Sequence, residues 1–147
     1  MNVDKSQLLL SCLLLGLVYP LNIVHEFGHA FVCGVYGYNY SITLSLFDKS
    51  NVICSGNELN KVIYGGAGGL AVMIVALSVL LIPYIRNNIG IRIGFVSISV
   101  MSFANAILEG FFFEFYNNNI SLLEILFLLI LIIVFSTQWL LLIKSKN

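Results

Sequence analysis

Four apolar segments dominate this chain, and each is long enough to cross the hydrocarbon core of a bilayer as a helix. Crossing that core takes about 20 apolar residues in a helix. Breaks rich in Asn, Pro and Gly separate the segments. The segments cover approximately residues 8–35, 62–82, 91–113 and 120–143. We therefore expect an all-α, multi-pass integral membrane protein with about four transmembrane helices, folded as a single domain over residues 1–147.

The composition agrees with a chain whose solvent is the lipid bilayer. Hydrophobic residues make up 59% of it and charged residues 10%, whereas a soluble domain has about 25% charged residues. The formal net charge is zero and there is no basic run, so we expect no nucleic-acid partner. The three cysteines are an odd number without paired spacing, which predicts no disulfide framework. Cys12 and Cys33 lie in apolar runs and are expected to be small buried hydrophobes.

A polar stretch over residues 37–60 follows the first apolar segment. Polar and apolar residues alternate over residues 38–46, which predicts a β-strand. Residues 48–51 are typical of a turn, and residues 52–54 suit a returning strand. We expect a short β-hairpin over about residues 38–55 at the membrane surface, with an irregular loop as the alternative.

The only two histidines of the protein, His25 and His29, lie four residues apart in the first apolar segment. On a helix they are about 40° apart, so both imidazoles reach one point. Glu26 falls on the adjoining edge of that face. This is the HExxH arrangement, in which two imidazoles bind Zn²⁺ and the glutamate takes a proton from water. The alternative is a structural polar cluster, but ionisable groups inside apolar segments are usually functional. Pro20 is expected to kink this helix.

A hydrolytic zinc site usually has three protein ligands, and the HExxH motif supplies two. Glu109 is the candidate for the third, because it lies inside the third apolar segment without a Lys or Arg nearby. Glu114, at the exit of that segment, is the second candidate, and a protonated, merely buried Glu109 is the alternative. Asn105, one turn before Glu109, is a candidate for orienting its carboxylate or contacting a substrate carbonyl. The glycine run 65–69 predicts close helix packing or access of substrate to the zinc.

These motifs together resemble the site-2 protease family of intramembrane zinc metalloproteases. The segment His25–Ala30 (HEFGHA) matches the family pattern HExGHA. The segment Tyr64–Gly69 is similar to the glycine-rich start of the second core helix of the family. Leu108–Gly110 looks like the LDG motif, whose acid is the last zinc ligand, with Glu109 in place of the aspartate. The resemblance covers about residues 7–113.

The resemblance implies an intramembrane zinc protease that hydrolyses peptide bonds in or near transmembrane segments of a membrane-protein substrate. Zn²⁺ would be bound by His25, His29 and Glu109, with Glu26 as the catalytic base, in a bare core without PDZ or CBS domains. The predicted strand over residues 38–46 would capture the unwound substrate by β-augmentation. A non-catalytic membrane subunit that keeps the fold, with or without the metal, is the alternative, and a metal transporter is a third hypothesis.

The orientation of the chain in the membrane has two conflicting indications. The positive-inside rule compares the Lys and Arg residues on the two sides. Five basic residues lie on the side of the termini: Lys5, Arg86, Arg92, Lys144 and Lys146. Two basic residues lie on the other side: Lys49 and Lys61. The charges therefore favour cytoplasmic termini, whereas the family usually has its HExxH helix in the opposite orientation.

Overall fold

The computed structural model describes residues 5–16, 18–45, 50–56 and 60–145. Within these ranges it has seven helices and one small sheet. The helices are α1 (Lys5–Leu15), α2 (Val18–Val35), α3 (Lys61–Val79), α4 (Pro83–Asn87), α5 (Ile89–Phe111), α6 (Phe113–Asn118) and α7 (Ile120–Ser145). The strands β1 (Tyr40–Thr43) and β2 (Asn51–Cys54) lie between α2 and α3. The prediction of a helical chain with a small hairpin after the HExxH helix is confirmed.

Three helices, α3, α5 and α7, are long and apolar enough to cross a membrane. The pair α1 and α2 makes a fourth candidate if it is counted as one span bent by 43°. The first apolar segment is therefore two helices rather than one. Helix α1 ends at Leu15, so the break precedes Pro20, which lies in the first turn of α2. The bend therefore lies before Pro20 and not at it. Pro20 does not disturb α2, because the first N–H groups of a helix have no partner inside the helix and proline is tolerated there.

The polar residues between the long helices act as helix caps. The side chain of Asn60 accepts hydrogen bonds from backbone N–H groups in the first turn of α3. Asn88 does the same at the start of α5. Such caps satisfy donors that have no partner within the helix. The helix of the second apolar segment, α3, ends at Val79, three residues before the predicted end at residue 82. Pro83 begins the short helix α4.

Helix α3 lies between α2 and α5, and α5 also packs against α1 and α7. The core combines Val72 and Ala76 of α3, Phe95 and Ile98 of α5, and Leu131 of α7. Each of these helices turns only part of its surface toward the core, and many large apolar side chains elsewhere remain exposed. An exposed apolar surface of this extent suits contact with lipid or with partner helices.

The glycine run of α3 lets α5 approach closely. A Cβ on Gly69 would lie 2.5 Å from the carbonyl oxygen of Ser102. A Cβ on Gly65, four residues earlier on the same face, would overlap the carbonyl oxygen of Glu109. Contacts this short do not occur with real side chains, so the close packing requires glycine at both positions. The packing predicted for the run is therefore seen at these two residues, and it fixes the position of the helix turn that carries Glu109.

The hairpin consists of β1 and β2 in an antiparallel pair, with Tyr40 opposite Cys54 and Thr43 opposite Asn51. Strand β1 is shorter than the predicted strand over residues 38–46. Residues 48 and 49 of the predicted turn over residues 48–51 lie outside the described residues, and Asn51 begins β2. The backbone N–H of Ser55 donates to the carbonyl oxygen of Asn39 at 2.9 Å, which extends the pairing beyond the strands.

A disulfide bond joins Cys33 to Cys54, with a Cα–Cα distance of 6.0 Å. The prediction of no disulfide was wrong, because the pairing depends on the hairpin folding back onto the last turns of α2. Neither the spacing of 21 residues nor the odd cysteine count reveals that contact. The prediction that Cys12 is buried was also wrong, because Cys12 is free and exposed. The bond fastens β2 to the helix that carries the HExxH motif.

Candidate metal centre

The HExxH motif lies on one face of α2, with the imidazoles turned toward α3 and α5. The Nε2 atoms of His25 and His29 are 3.0 Å apart. The separation follows from the four-residue spacing, which places both side chains on the same face one turn apart. The two rings meet edge to face at a centroid distance of 4.8 Å. Both nitrogens therefore point to one place, as the sequence predicts.

The orientation of His29 is fixed by α3. Its Nδ1 lies 2.7 Å from the backbone carbonyl oxygen of Tyr64. A carbonyl can only accept, so Nδ1 must carry the proton and donate, which leaves the lone pair of a neutral imidazole on Nε2. Histidines that bind metals are commonly oriented by such a hydrogen bond from the other ring nitrogen. The Tyr64 hydroxyl donates in turn to the carbonyl oxygen of Val52 at 2.9 Å, which connects this turn of α3 to the hairpin.

The role of Tyr64 in orienting His29 was missed by sequence reasoning. In the sequence, Tyr64 only begins a glycine-rich segment. Its relevant group is the backbone carbonyl, which every residue has, so residue identity gives no signal for it. Only the packing of α2 against α3 brings it to the histidine.

Glu109 brings a carboxylate from α5 to the same point. Its Oε2 lies 3.2 Å from Nε2 of His25, and its Oε1 lies 3.2 Å from Nε2 of His29. The residue is buried, with 8% of its surface exposed. His25, His29 and Glu109 form a group of potential ligands whose donor atoms all lie within 4.8 Å of one another. The three residues that the sequence analysis nominated as metal ligands are thus brought together from two helices.

The geometry of the group fits a tetrahedral metal ion. Ligand atoms about 2.0–2.1 Å from Zn²⁺ at tetrahedral angles are separated by about 3.3–3.4 Å. The separation of 3.0 Å between the two Nε2 atoms is close to that value. Each imidazole has a different oxygen of Glu109 at 3.2 Å, Oε2 for His25 and Oε1 for His29. Oε2 of Glu109 is buried and makes no hydrogen bond of good geometry among the described residues, although Nε2 of His25 lies 3.2 Å away. A buried carboxylate oxygen without a hydrogen bond is costly unless a cation is near it.

Space for an ion is provided by the absence of a side chain at Gly68. A Cβ placed there would lie 2.5 Å from Nε2 of His25 and 2.6 Å from Nε2 of His29. Gly68 faces the histidines, whereas Gly65 and Gly69 face α5. Helix packing, one of the two functions predicted for the glycine run, is therefore seen on the face toward α5, and access of substrate to the zinc stays a prediction.

Glu26 lies beside the ligand group without belonging to it. It is the residue after His25, so its side chain leaves the helix about 100° further round. It is buried, with 6% of its surface exposed, and it lies within electrostatic range of His25, His29 and Glu109. A carboxylate near a metal but not bound to it is placed to accept a proton from water there.

The second candidate for the third ligand, Glu114, lies outside the group. It is on α6, its side chain is 86% exposed, and its Oε1 is 3.6 Å from Nζ of Lys61. An exposed ion pair of this kind contributes little to stability.

Asn105 lies one turn before Glu109 on α5, and its Oδ1 is buried without a hydrogen-bond partner among the described residues. Its side chain lies within interaction range of the Tyr116 hydroxyl in α6. Burial, together with the nearby charge of Glu109, raises the pKa of Tyr116 above its usual range, so the hydroxyl stays protonated. Tyr116 was not predicted from the sequence, because it lies beyond the apolar segment that carries Glu109. Asn105 thus has a buried amide oxygen on the turn of α5 that precedes Glu109.

Comparison with known proteins identifies no relative of this chain. No family model, curated protein or solved structure matches it. The resemblance to the site-2 protease family therefore depends on the short motifs in the sequence and remains a prediction.

Proposed function

We propose that this chain is an integral, multi-pass membrane zinc metallopeptidase of the site-2 protease type, which hydrolyses peptide bonds in or near transmembrane segments of other proteins. The observation that carries the proposal is the convergence of His25, His29 and Glu109 on one point, with the Glu26 carboxylate beside it. A purely structural cluster would have no need of the additional carboxylate. Three or four helices that suit a bilayer support the location.

His25, His29 and Glu109 would hold the ion, and the donor set of two imidazoles and one carboxylate is one that catalytic zinc sites use. When bound, Zn²⁺ supplies Lewis acidity, which acidifies water and polarises a carbonyl group. Glu26 accepts the proton of the attacking water and later delivers it to the departing amine. The Tyr64 carbonyl keeps the Nε2 lone pair of His29 directed at the centre. Asn105, one turn before Glu109 on α5, would orient the Glu109 carboxylate or contact the substrate carbonyl.

The hairpin offers an edge for an unwound substrate segment. Helical substrates have their carbonyl groups hydrogen-bonded, so local unwinding must precede attack, and an extended segment can add to a free strand edge. In an antiparallel pair, hydrogen-bonded and non-hydrogen-bonded positions alternate. Because Asn39 is bonded to Ser55, this alternation assigns Ser41 and Thr43 to the ladder with β2. Tyr40 and Ile42 then point their N–H and C=O groups to the outer edge of β1.

The decisive experiment measures zinc content and cleavage together on the purified protein. Glu26→Gln should retain zinc at the wild-type ratio and lose cleavage of a tagged single-span substrate, because an amide cannot act as base while the three ligands remain. His25→Ala should lose zinc as well. Glu114→Gln is the matched control, since it makes the same chemical change on an exposed carboxylate outside the group.

The two measurements also separate the proposal from its alternatives. A non-catalytic subunit, with or without bound zinc, would cleave nothing in any variant. An ion pair of protonated histidines with Glu109 would give the same contacts without zinc. Cleavage by Glu26→Gln at the wild-type rate would exclude Glu26 as the base.

A further inference from the structure

The helix bundle has two distinct ends, and the candidate centre is close to one of them. At the hairpin end, the C-terminus of α2, the N-terminus of α3 and the C-terminus of α5 lie with β1 and β2. At the other end, which we call the terminal end, the first turns of α1 and α5 meet, and the N–H of Gly90 donates to Oε1 of Gln7 at 3.1 Å. The indole N–H of Trp139 donates to Oγ of Ser11 at 3.2 Å, so α7 returns toward the same end.

The disulfide is at the hairpin end. Cys33 is two residues from the end of α2, and Cys54 is the last residue of β2. Disulfides form and persist in oxidising compartments, whereas cytosolic thiols are kept reduced. The bond therefore indicates that the hairpin end is on the non-cytoplasmic side of the membrane.

The charges give an independent indication of the same orientation. The basic residues of the described helices collect at the terminal end, and Lys61 is the exception at the hairpin end. Those at the terminal end are Lys5 at the start of α1, Arg86 in α4, Arg92 near the start of α5 and Lys144 in the last turn of α7. Loops and helix ends rich in Lys and Arg stay in the cytoplasm. Disulfide chemistry and charge thus agree and depend on different residues, and both oppose the orientation that the resemblance to the site-2 protease family implies.

The candidate centre lies at shallow depth below the hairpin end. Glu109 is two residues before the end of α5, Tyr64 is three residues after the start of α3, and His29 is six residues before the end of α2. At 1.5 Å per residue these positions are about 3, 4.5 and 9 Å from the helix ends. The hydrocarbon core is about 30 Å thick, so the centre falls in the half of it nearest the hairpin.

We propose that the candidate metal centre faces the non-cytoplasmic compartment, and that the chain cleaves membrane segments in their non-cytoplasmic half. This inference rests on the proposed function, and it specifies the substrate class: a membrane protein whose transmembrane segment unwinds at its non-cytoplasmic end. One water is added across the peptide bond, giving a new carboxylate and a new amine. The product carrying the external portion of the substrate leaves on the non-cytoplasmic side. The disulfide holds β2 against α2 in that compartment.

Thiol labelling of the full chain in intact cells tests the orientation. In a Cys12→Ser background, Ser50→Cys should react with a membrane-impermeant maleimide in intact cells, and Ser145→Cys should react only after permeabilisation. Cys33 and Cys54, trapped by acid quenching, should be alkylated only after a reductant is added. The reverse labelling pattern, or free thiols at both native positions without reductant, would overturn the orientation.

Mapping of the cleavage site tests the substrate class and separates it from the proposed function. The probe is a single-span apolar helix with a tag at each end, co-expressed with the wild type or with Glu26→Gln. Mass spectrometry of the fragments should place the Glu26-dependent cut in the non-cytoplasmic half of the helix. A Glu26-dependent cut in the cytoplasmic half refutes this inference and leaves the protease proposal standing. If the thiol labelling gives the expected pattern but no cleavage depends on Glu26, the proposed function is refuted, and the substrate class with it. The orientation then stands.

Discussion

Gly68→Ala is the substitution that tests the candidate centre most sharply, because it adds one methyl group and leaves every candidate ligand residue unchanged. The new Cβ would lie 2.5 Å from Nε2 of His25 and 2.6 Å from Nε2 of His29. Ordinary carbon–nitrogen contacts are about 3.5 Å or longer, so each imidazole must move by about 1 Å. Metal–ligand distances tolerate about 0.2 Å of deviation. The shift exceeds that tolerance several-fold.

We expect Gly68→Ala to lower zinc affinity by about 10–100-fold or more, which is the range seen when the orientation of metal ligands is disturbed. The assay is competition for zinc with a chromophoric chelator, followed by elemental analysis. Cleavage activity should fall in parallel with zinc occupancy. Thermal unfolding of the metal-free protein should change little, because the helix preference of alanine over glycine, about 0.8–1.0 kcal/mol, offsets the cost of moving the two imidazoles.

Gly34→Ala on α2 is the matched control. A Cβ at Gly34 would meet only the Tyr40 ring at 3.8 Å, an ordinary van der Waals contact. The control makes the same substitution in a helix and should retain wild-type zinc affinity. If Gly68→Ala binds zinc as tightly as the control, no ion lies between the two imidazoles, and the reasoning about the centre fails.

Three further predictions concern the third ligand, the hairpin edge and the contact between hairpin and α3. Glu109→Ala should lose zinc and activity, whereas Glu109→Asp should retain measurable activity because a carboxylate remains. Glu114→Ala should resemble the wild type. If zinc analysis instead shows full zinc in Glu109→Ala and loss of zinc in Glu114→Ala, the third ligand is on α6. Ile42→Pro removes an N–H from the outer edge of β1 and should slow substrate processing without lowering zinc content, so equal processing rates would refute strand capture. Tyr64→Phe removes the hydroxyl bonded to Val52 and should lower the free energy of unfolding by about 1 kcal/mol. Its zinc affinity should not change, since the carbonyl that orients His29 belongs to the backbone.

The local features of this chain could be predicted from its sequence because each depends on residues close together along it. Apolar length predicts the long helices, and Asn60 and Asn88 mark two of their starts. Alternating polarity predicts the hairpin. The four-residue spacing of His25 and His29 fixes their common direction, because helix geometry alone determines the angle between them.

Features that depend on two segments meeting could only be decided by the tertiary structure. The choice of Glu109 over Glu114 depends on which carboxylate the close approach of α3 and α5 brings to the histidines, and glycines at 65 and 69 permit that approach. The same holds for the carbonyl of Tyr64, the contact of Asn105 with Tyr116, and the Cys33–Cys54 bond. A sequence determines periodicity and propensity within a segment, whereas contacts between segments depend on how the helices pack, which no local pattern contains.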